Sequence, residues 1–168
     1  MEAMEARMVK LYARNNNHVA LHAIPGHFAT SHSHINFYID LTSLKTRANE
    51  AQEVAKSLAG DYVNSTVVDT IVCMDGTEVV GAYLAQEFEK RGFRNTNLHD
   101  TIYVVTPEYN ANNQLIFRDN TIPAIKGKNV ILLLATTTTG LTVRRSLECV
   151  QYYGGTVRGI SSIFSTVK

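Results

Sequence analysis

The feature that most constrains this chain is an alternation between short apolar runs and segments with helical periodicity. "DTIVCM" (69–74), "TIYVVT" (101–106) and "NVILLL" (129–134) read as strands, and "VRGISSIF" (157–164) as a final one. Between them, Val79, Val80, Tyr83, Leu84 and Phe88 share one face of a helix expected over Thr77–Arg91, and Val143, Leu147 and Val150 mark another. Continuous apolar strands alternating with amphipathic helices predict an α/β fold whose mostly parallel sheet is flanked by helices on both faces. Such sheets bind ligands outside the carboxyl ends of their strands.

Upstream, Ala48, Ala51, Val54, Ala55 and Leu58 recur at helical spacing from Arg47 to Ala59. "HVALHAI" and "HINFYIDL" are rich in β-formers and flank a polar connection, "PGHFATSHS". The first ~15 residues are charged and amphipathic, and the expectation there is a helix. With three prolines and no repeat or low-complexity tract, 1–168 reads as a single domain, divided into an N-terminal segment (1–45) and an α/β core (46–168).

Composition narrows the function classes. The formal net charge is +1, so no global field draws nucleic acid or anionic lipid, and neither is expected as a partner. No apolar run approaches the ~20 residues that span a bilayer, and the N-terminus lacks the apolar centre of a secretion signal, so the expectation is a cytoplasmic protein. On that expectation the Asn64-Ser65-Thr66 sequon carries no glycan. Cys73 and Cys149 sit in apolar surroundings and read as small buried thiols. His22, His27, His32 and His34 crowd one region, but their spacing matches no common zinc pattern; they read as surface or subunit-contact histidines, and no metal site is expected.

The stretch "VILLLATTTTGLT" (130–142) concentrates hydroxyls and backbone N–H groups where a strand hands over to a helix. Gly140 permits backbone angles that other residues resist. The amides of the turn and of the first helical turn lack helical partners, and with the helix dipole they form a seat for a phosphate. Thr137, Thr138, Thr139, Gly140, Leu141 and Thr142 are the candidate contacts. Arg144 and Arg145 follow in the helix, where they either steer an anion or face solvent. The alternative is a threonine-rich cap with no ligand; no Gly-Lys-Thr of a Walker loop follows.

Strand, threonine-glycine turn and helix together resemble the type I phosphoribosyltransferases, and most nearly orotate phosphoribosyltransferase. "SHSHINFYIDL", ending in Phe37, Tyr38, Ile39 and Asp40, is similar to a segment of that enzyme. "VDTIVCMDGTEVVGAYLAQEF" resembles its pyrophosphate-loop strand and helix, and "IKGKNVILLLATTTTGLTVRRSLECVQYYGGTVRGI" its ligand-binding core. The resemblance covers the chain from about Ala23 onward. It implies a small N-terminal β/helical hood, a homodimer, and a phosphorylated ribosyl ligand such as a nucleoside monophosphate or ribose 5-phosphate.

Three departures accompany the resemblance. Where the family carries two acidic residues that accept hydrogen bonds from the ribose hydroxyls, this chain has Leu134 and Ala135. Losing two charge-assisted bonds of ~1.5–3 kcal/mol each weakens recognition of the diol. "TIYVVTPEYNANNQLIF", at the position of the family's cationic mobile loop, has no lysine or arginine and adds Glu108. It reads either as a closing loop or as a solvated hairpin tip. The loop Met74–Glu78, with Asp75, Gly76 and Thr77 as the pyrophosphate-loop equivalent, brings two carboxylates, Asp75 and Glu78, where the family places small neutral residues, and they repel a pyrophosphate unless a divalent cation intervenes; Asp75 is a turn residue or that cation's ligand.

The expected function is therefore a divergent orotate phosphoribosyltransferase-like protein that binds a phosphorylated ribosyl ligand with weak or no transfer activity. No cofactor is assigned and no catalytic residue is named. Two alternatives stand beside it: an active phosphoribosyltransferase of nucleotide synthesis or salvage, using phosphoribosyl pyrophosphate and Mg²⁺, or a structural or partner-binding module on the same fold.

Overall fold

The computed structural model describes residues 7–29, 34–62, 66–90 and 101–166. Its centre is a four-stranded, all-parallel sheet in the order β5 (Tyr103–Val105), β4 (Thr70–Cys73), β8 (Asn129–Thr137), β9 (Thr156–Ser165). Side chains alternate across the two inner strands and so build two cores. Ile71, Cys73, Ile131, Leu133 and Ala135 face one layer, made by α1 (Thr42–Thr46), α2 (Ala48–Ala59) and α3 (Glu78–Lys90). Val72, Met74, Val130, Leu132 and Leu134 face the other, closed by α4 (Leu141–Tyr152) with Phe117 and Ile125. Burial on both faces is why these strands read as unbroken apolar runs. Burying each large side chain contributes on the order of 1.5–3 kcal/mol.

Close approach of α3 to β4 depends on Gly81, where an added Cβ would run into the buried Cys73 sulfur. At the amino edge of the sheet, Asp69 Oδ2 accepts hydrogen bonds from the Asn129 amide (2.8 Å) and side chain (2.9 Å). Arg158 Nε donates to Asn129 Oδ1 at 2.8 Å. This network ties together the starts of β4, β8 and β9.

The N-terminal region is an antiparallel sheet, β1 (Val9–Ala13), β2 (Asn16–Ala29) and β3 (His34–Asp40), in that order. The helix expected over the first ~15 residues is thus overturned for residues 9–13, which form β1; residues 1–6 lie outside the described residues. "VKLYA" alternates with period two, and pairing with Leu21 and Ala23 overrides the helical amphipathicity. A second correction concerns "PGHFATSHS". Its first five residues belong to β2, with a register shift between Pro25 and Phe28 where proline cannot donate to the ladder. The hairpin reading of "PEYNANNQ" holds: β6 (Glu108–Tyr109) pairs with β7 (Leu115–Ile116). No described helix is long and apolar enough to cross a membrane.

Candidate functional site

β8 does not end at the first threonine. It pairs with β9 through Thr136 and Thr137, and the Thr137 carbonyl accepts from Thr166 N at 3.0 Å. Thr137 is therefore the strand's last residue, and the turn is Thr138 to Gly140. Gly140 adopts φ 78° and stands as N-cap of α4 with no side-chain cap. The first helical bond of α4 runs from Arg144 N to Gly140 O at 2.9 Å. The Thr139 hydroxyl lies 3.5 Å from Leu141 N, at the outer limit of a hydrogen bond. The amides of Thr142 and Val143 have no partner among the described residues. No acidic residue occupies the first turn of α4, and the helix dipole adds positive potential there. A cavity of about 60 Å³ opens at this point, lined by residues 136–143. That is about two waters' share of liquid volume, enough for one compact group.

The adjacent strand β4 delivers the second loop to the same edge. Met74 N donates to Leu133 O at 2.8 Å. Thr77 is buried, and its hydroxyl is engaged with Met74 O (2.8 Å) and Leu133 O (3.1 Å), so it braces the loop against β8. Asp75 and Gly76 both have positive φ, 57° and 76°. Lys45, from α1, donates to the Asp75 carbonyl at 2.9 Å. Burial pushes the Asp75 carboxyl above its usual value, and Lys45 moderates the shift.

Leu134 and Ala135, where the resemblance set the family's acidic pair, are buried. Leu134 and Ala135 pack into opposite cores and present no acceptor to the edge. The two arginines of α4 separate: Arg144 pairs with Glu148 (3.2 Å), while Arg145 lines a groove beside the β6–β7 hairpin. Asp40 Oδ1 accepts from Thr42 N at 2.9 Å and so caps the approach to α1, which holds its carboxyl below the usual range. His27 Nε2 and His34 Nδ1 lie 2.9 Å apart with stacked rings, while His32 lies outside the described residues. Among the described residues no group of three or more His, Cys, Asp or Glu side chains could hold a metal.

Two features escaped sequence reasoning. Lys45 brings a cation to the loop from thirty residues upstream, a juxtaposition with no signal in spacing. Arg118, just past the cation-free stretch, neutralises Glu108 at 2.8 Å; a hairpin register drawn from Glu108 to Ile116 would have put them on one face as diagonal neighbours.

No family model matches this sequence, and no curated protein matches it. Solved structures do. Leishmania donovani UMP synthase superposes with a TM-score of 0.62 at 18% identity over 85% of this chain, which spans 28% of that protein. Mycobacterium tuberculosis orotate phosphoribosyltransferase gives 0.58 at 15% identity, over 85% of this chain and 77% of its own. Leishmania donovani adenine phosphoribosyltransferase gives 0.55 at 16% identity, over 98% of this chain and 66% of its own. At these identities the likeness is one of fold.

Proposed function

We propose that this chain, which has the type I phosphoribosyltransferase fold, binds a phosphorylated ribosyl ligand, a nucleoside monophosphate or ribose 5-phosphate, and transfers it weakly or not at all. The observation that carries this reading is the uncapped start of α4. Gly140 leaves the Thr142 and Val143 amides without partners, and they border a cavity sized for one phosphate. Thr138, Thr139, Gly140, Leu141 and Thr142 line the seat, with Thr137 at its strand side. The same edge argues against efficient transfer. Leu134 and Ala135 are buried and apolar where the family holds the ribose diol, and charge developing on a departing pyrophosphate needs positioned cations.

The active-enzyme alternative draws support from Lys45, which supplies one cation at the Asp75–Thr77 loop. The loop brings two carboxylates, Asp75 and Glu78, and among the described residues no group of three or more His, Cys, Asp or Glu side chains could hold a metal. Mg²⁺ would have to enter on the phosphates of its substrate.

Calorimetry with ribose 5-phosphate, nucleoside monophosphates and phosphoribosyl pyrophosphate, with and without Mg²⁺, tests the proposal alongside an assay of pyrophosphate release. Monophosphate binding without turnover supports it. Robust pyrophosphate release moves the chain to the active class, and no binding at all leaves only a structural module. Replacing Thr138 and Thr139 by leucine should reduce monophosphate affinity at least about tenfold, the weight of one lost hydrogen bond to a charged group. Unchanged affinity would mean the turn is not the seat.

A further inference from the structure

A groove of about 450 Å³ lies between the β6–β7 tip and α4, within the range of small-molecule sites. Asn112, Asn113 and Gln114 form one wall, Arg145 and Glu148 the other, and Leu115 with Cys149 an apolar floor. Its shape is fixed in advance. The Asn110 side chain accepts from the amides of Asn112 and Gln114, both at 2.9 Å, and donates to Gln114 Oε1 at 3.0 Å. Arg118 and Glu108 close the base of the hairpin, and the Cys149 thiol donates to Leu115 O at 3.4 Å, tying hairpin to helix. A site that needs no ordering on binding loses little entropy when filled.

The chemistry of the walls selects an occupant. Glu148 is paired with Arg144, whereas Arg145 has no ion-pair partner among the described residues. The side-chain amides of Asn112 and Asn113 make no hydrogen bond within the described residues, and Gln114 keeps its NH₂ as a donor. The charged lining residues are Arg145 and Glu148, and Arg144, outside the groove, neutralises Glu148; the one positive charge left over is balanced by a monoanion, whereas a dianionic phosphate would set its second charge against Glu148. A guanidinium fork matches a carboxylate bidentately.

We propose that this groove binds a small carboxylate, its charge paired with Arg145 and its polar edge with the amides of Asn112, Asn113 and Gln114. The site is separate from the threonine turn and does not depend on what that turn holds.

The test is amide chemical-shift titration of the full chain with pyridine-3-carboxylate and with its neutral carboxamide. The proposal expects shifts confined to residues 112–115 and 145–149, with the acid binding at least about tenfold tighter than the amide, as loss of a charge-assisted pair implies. Arg145→Gln should bring the acid down to the amide's affinity, and Arg145→Lys should restore part of the difference because it returns the charge without the fork. Thermal melts of both variants should match the parent. Equal affinities for acid and amide overturn the proposal. So do shifts centred on residues 137–143, an acid affinity unmoved by Arg145→Gln, or no binding of the acid up to about 10 mM.

Discussion

At Gly81 and Gly140 a single methyl group would act through different physics. At Gly81 a Cβ collides with Cys73 Sγ and comes within 3.2 Å of Val104 Cγ1, inside a closed core. Gly81→Ala should cost about 1–3 kcal/mol by overpacking. At Gly140 a Cβ meets nothing within 4 Å, but φ is 78°, so Gly140→Ala should cost about 1–2 kcal/mol through backbone strain alone. Urea unfolding measures both, and a neutral Gly81→Ala would mean that α3 does not press on β4 as described. Asp40 gives a pH signature. Hydrogen bonds from the Thr42 hydroxyl and amide hold its folded pKa below the usual 3.8. The folded state therefore favours the carboxylate, and the stabilisation is complete above 3.8 and lost as pH falls through the folded value. Asp40→Asn should lower the melting temperature near neutral pH, with the gap closing below 3.8; a gap that persists in acid would contradict the capping role. Asp75 has the opposite sign, since burial raises its pKa and stability falls as pH rises past 3.8. The thiols are inert by the same logic. Burial pushes Cys73 up to about 12 and Cys149 to about 11, so native alkylation near neutral pH should be slow at both and complete only in denaturant.

The β6–β7 hairpin shows what an element inherits from one residue. Asn110 bonds to the amides of Asn112 and Gln114 and to the Gln114 side chain, and its own amide donates to Gln114 O. Asn110→Ala should leave the α/β core intact while removing hydrogen-exchange protection from the amides of Asn112 and Gln114, which bond to its side chain. Retained protection would show that strand pairing alone holds the tip. The sequence marked this hairpin, α2, α3, α4 and the parallel strands because apolar periodicity and turn residues are local signals. It missed β1, whose period-two pattern competes with a helical one and is decided by pairing with β2. It also stopped β8 three residues early, at Leu134, because threonine suits both a strand end and a turn and only the β9 partner decides. Lys45 at the Asp75 loop belongs to neither kind of signal, since it follows from how α1 seats on the core.

For the assembled molecule, the N-terminal sheet leaves Val9, Leu11 and Phe37 exposed on one face and Tyr12 and Tyr38 on the other, apolar side chains that the chain by itself leaves in water. We propose that two copies pair through the face that carries Val9, Leu11 and Phe37. Sedimentation should report a dimer, and Leu11→Lys with Phe37→Lys should shift it to monomer without loss of helical signal. A chain that sediments as a monomer from the outset contradicts the pairing.

The clamp of Asp69, Asn129 and Arg158 stands at the opposite end of the sheet from the threonine turn. Strand order and register are thereby fastened at a rim that no occupant of the turn touches. A substitution at the turn and a substitution at the clamp therefore act on separate sets of contacts. Side chains at the turn can then change one at a time while the register of the sheet stays as it was.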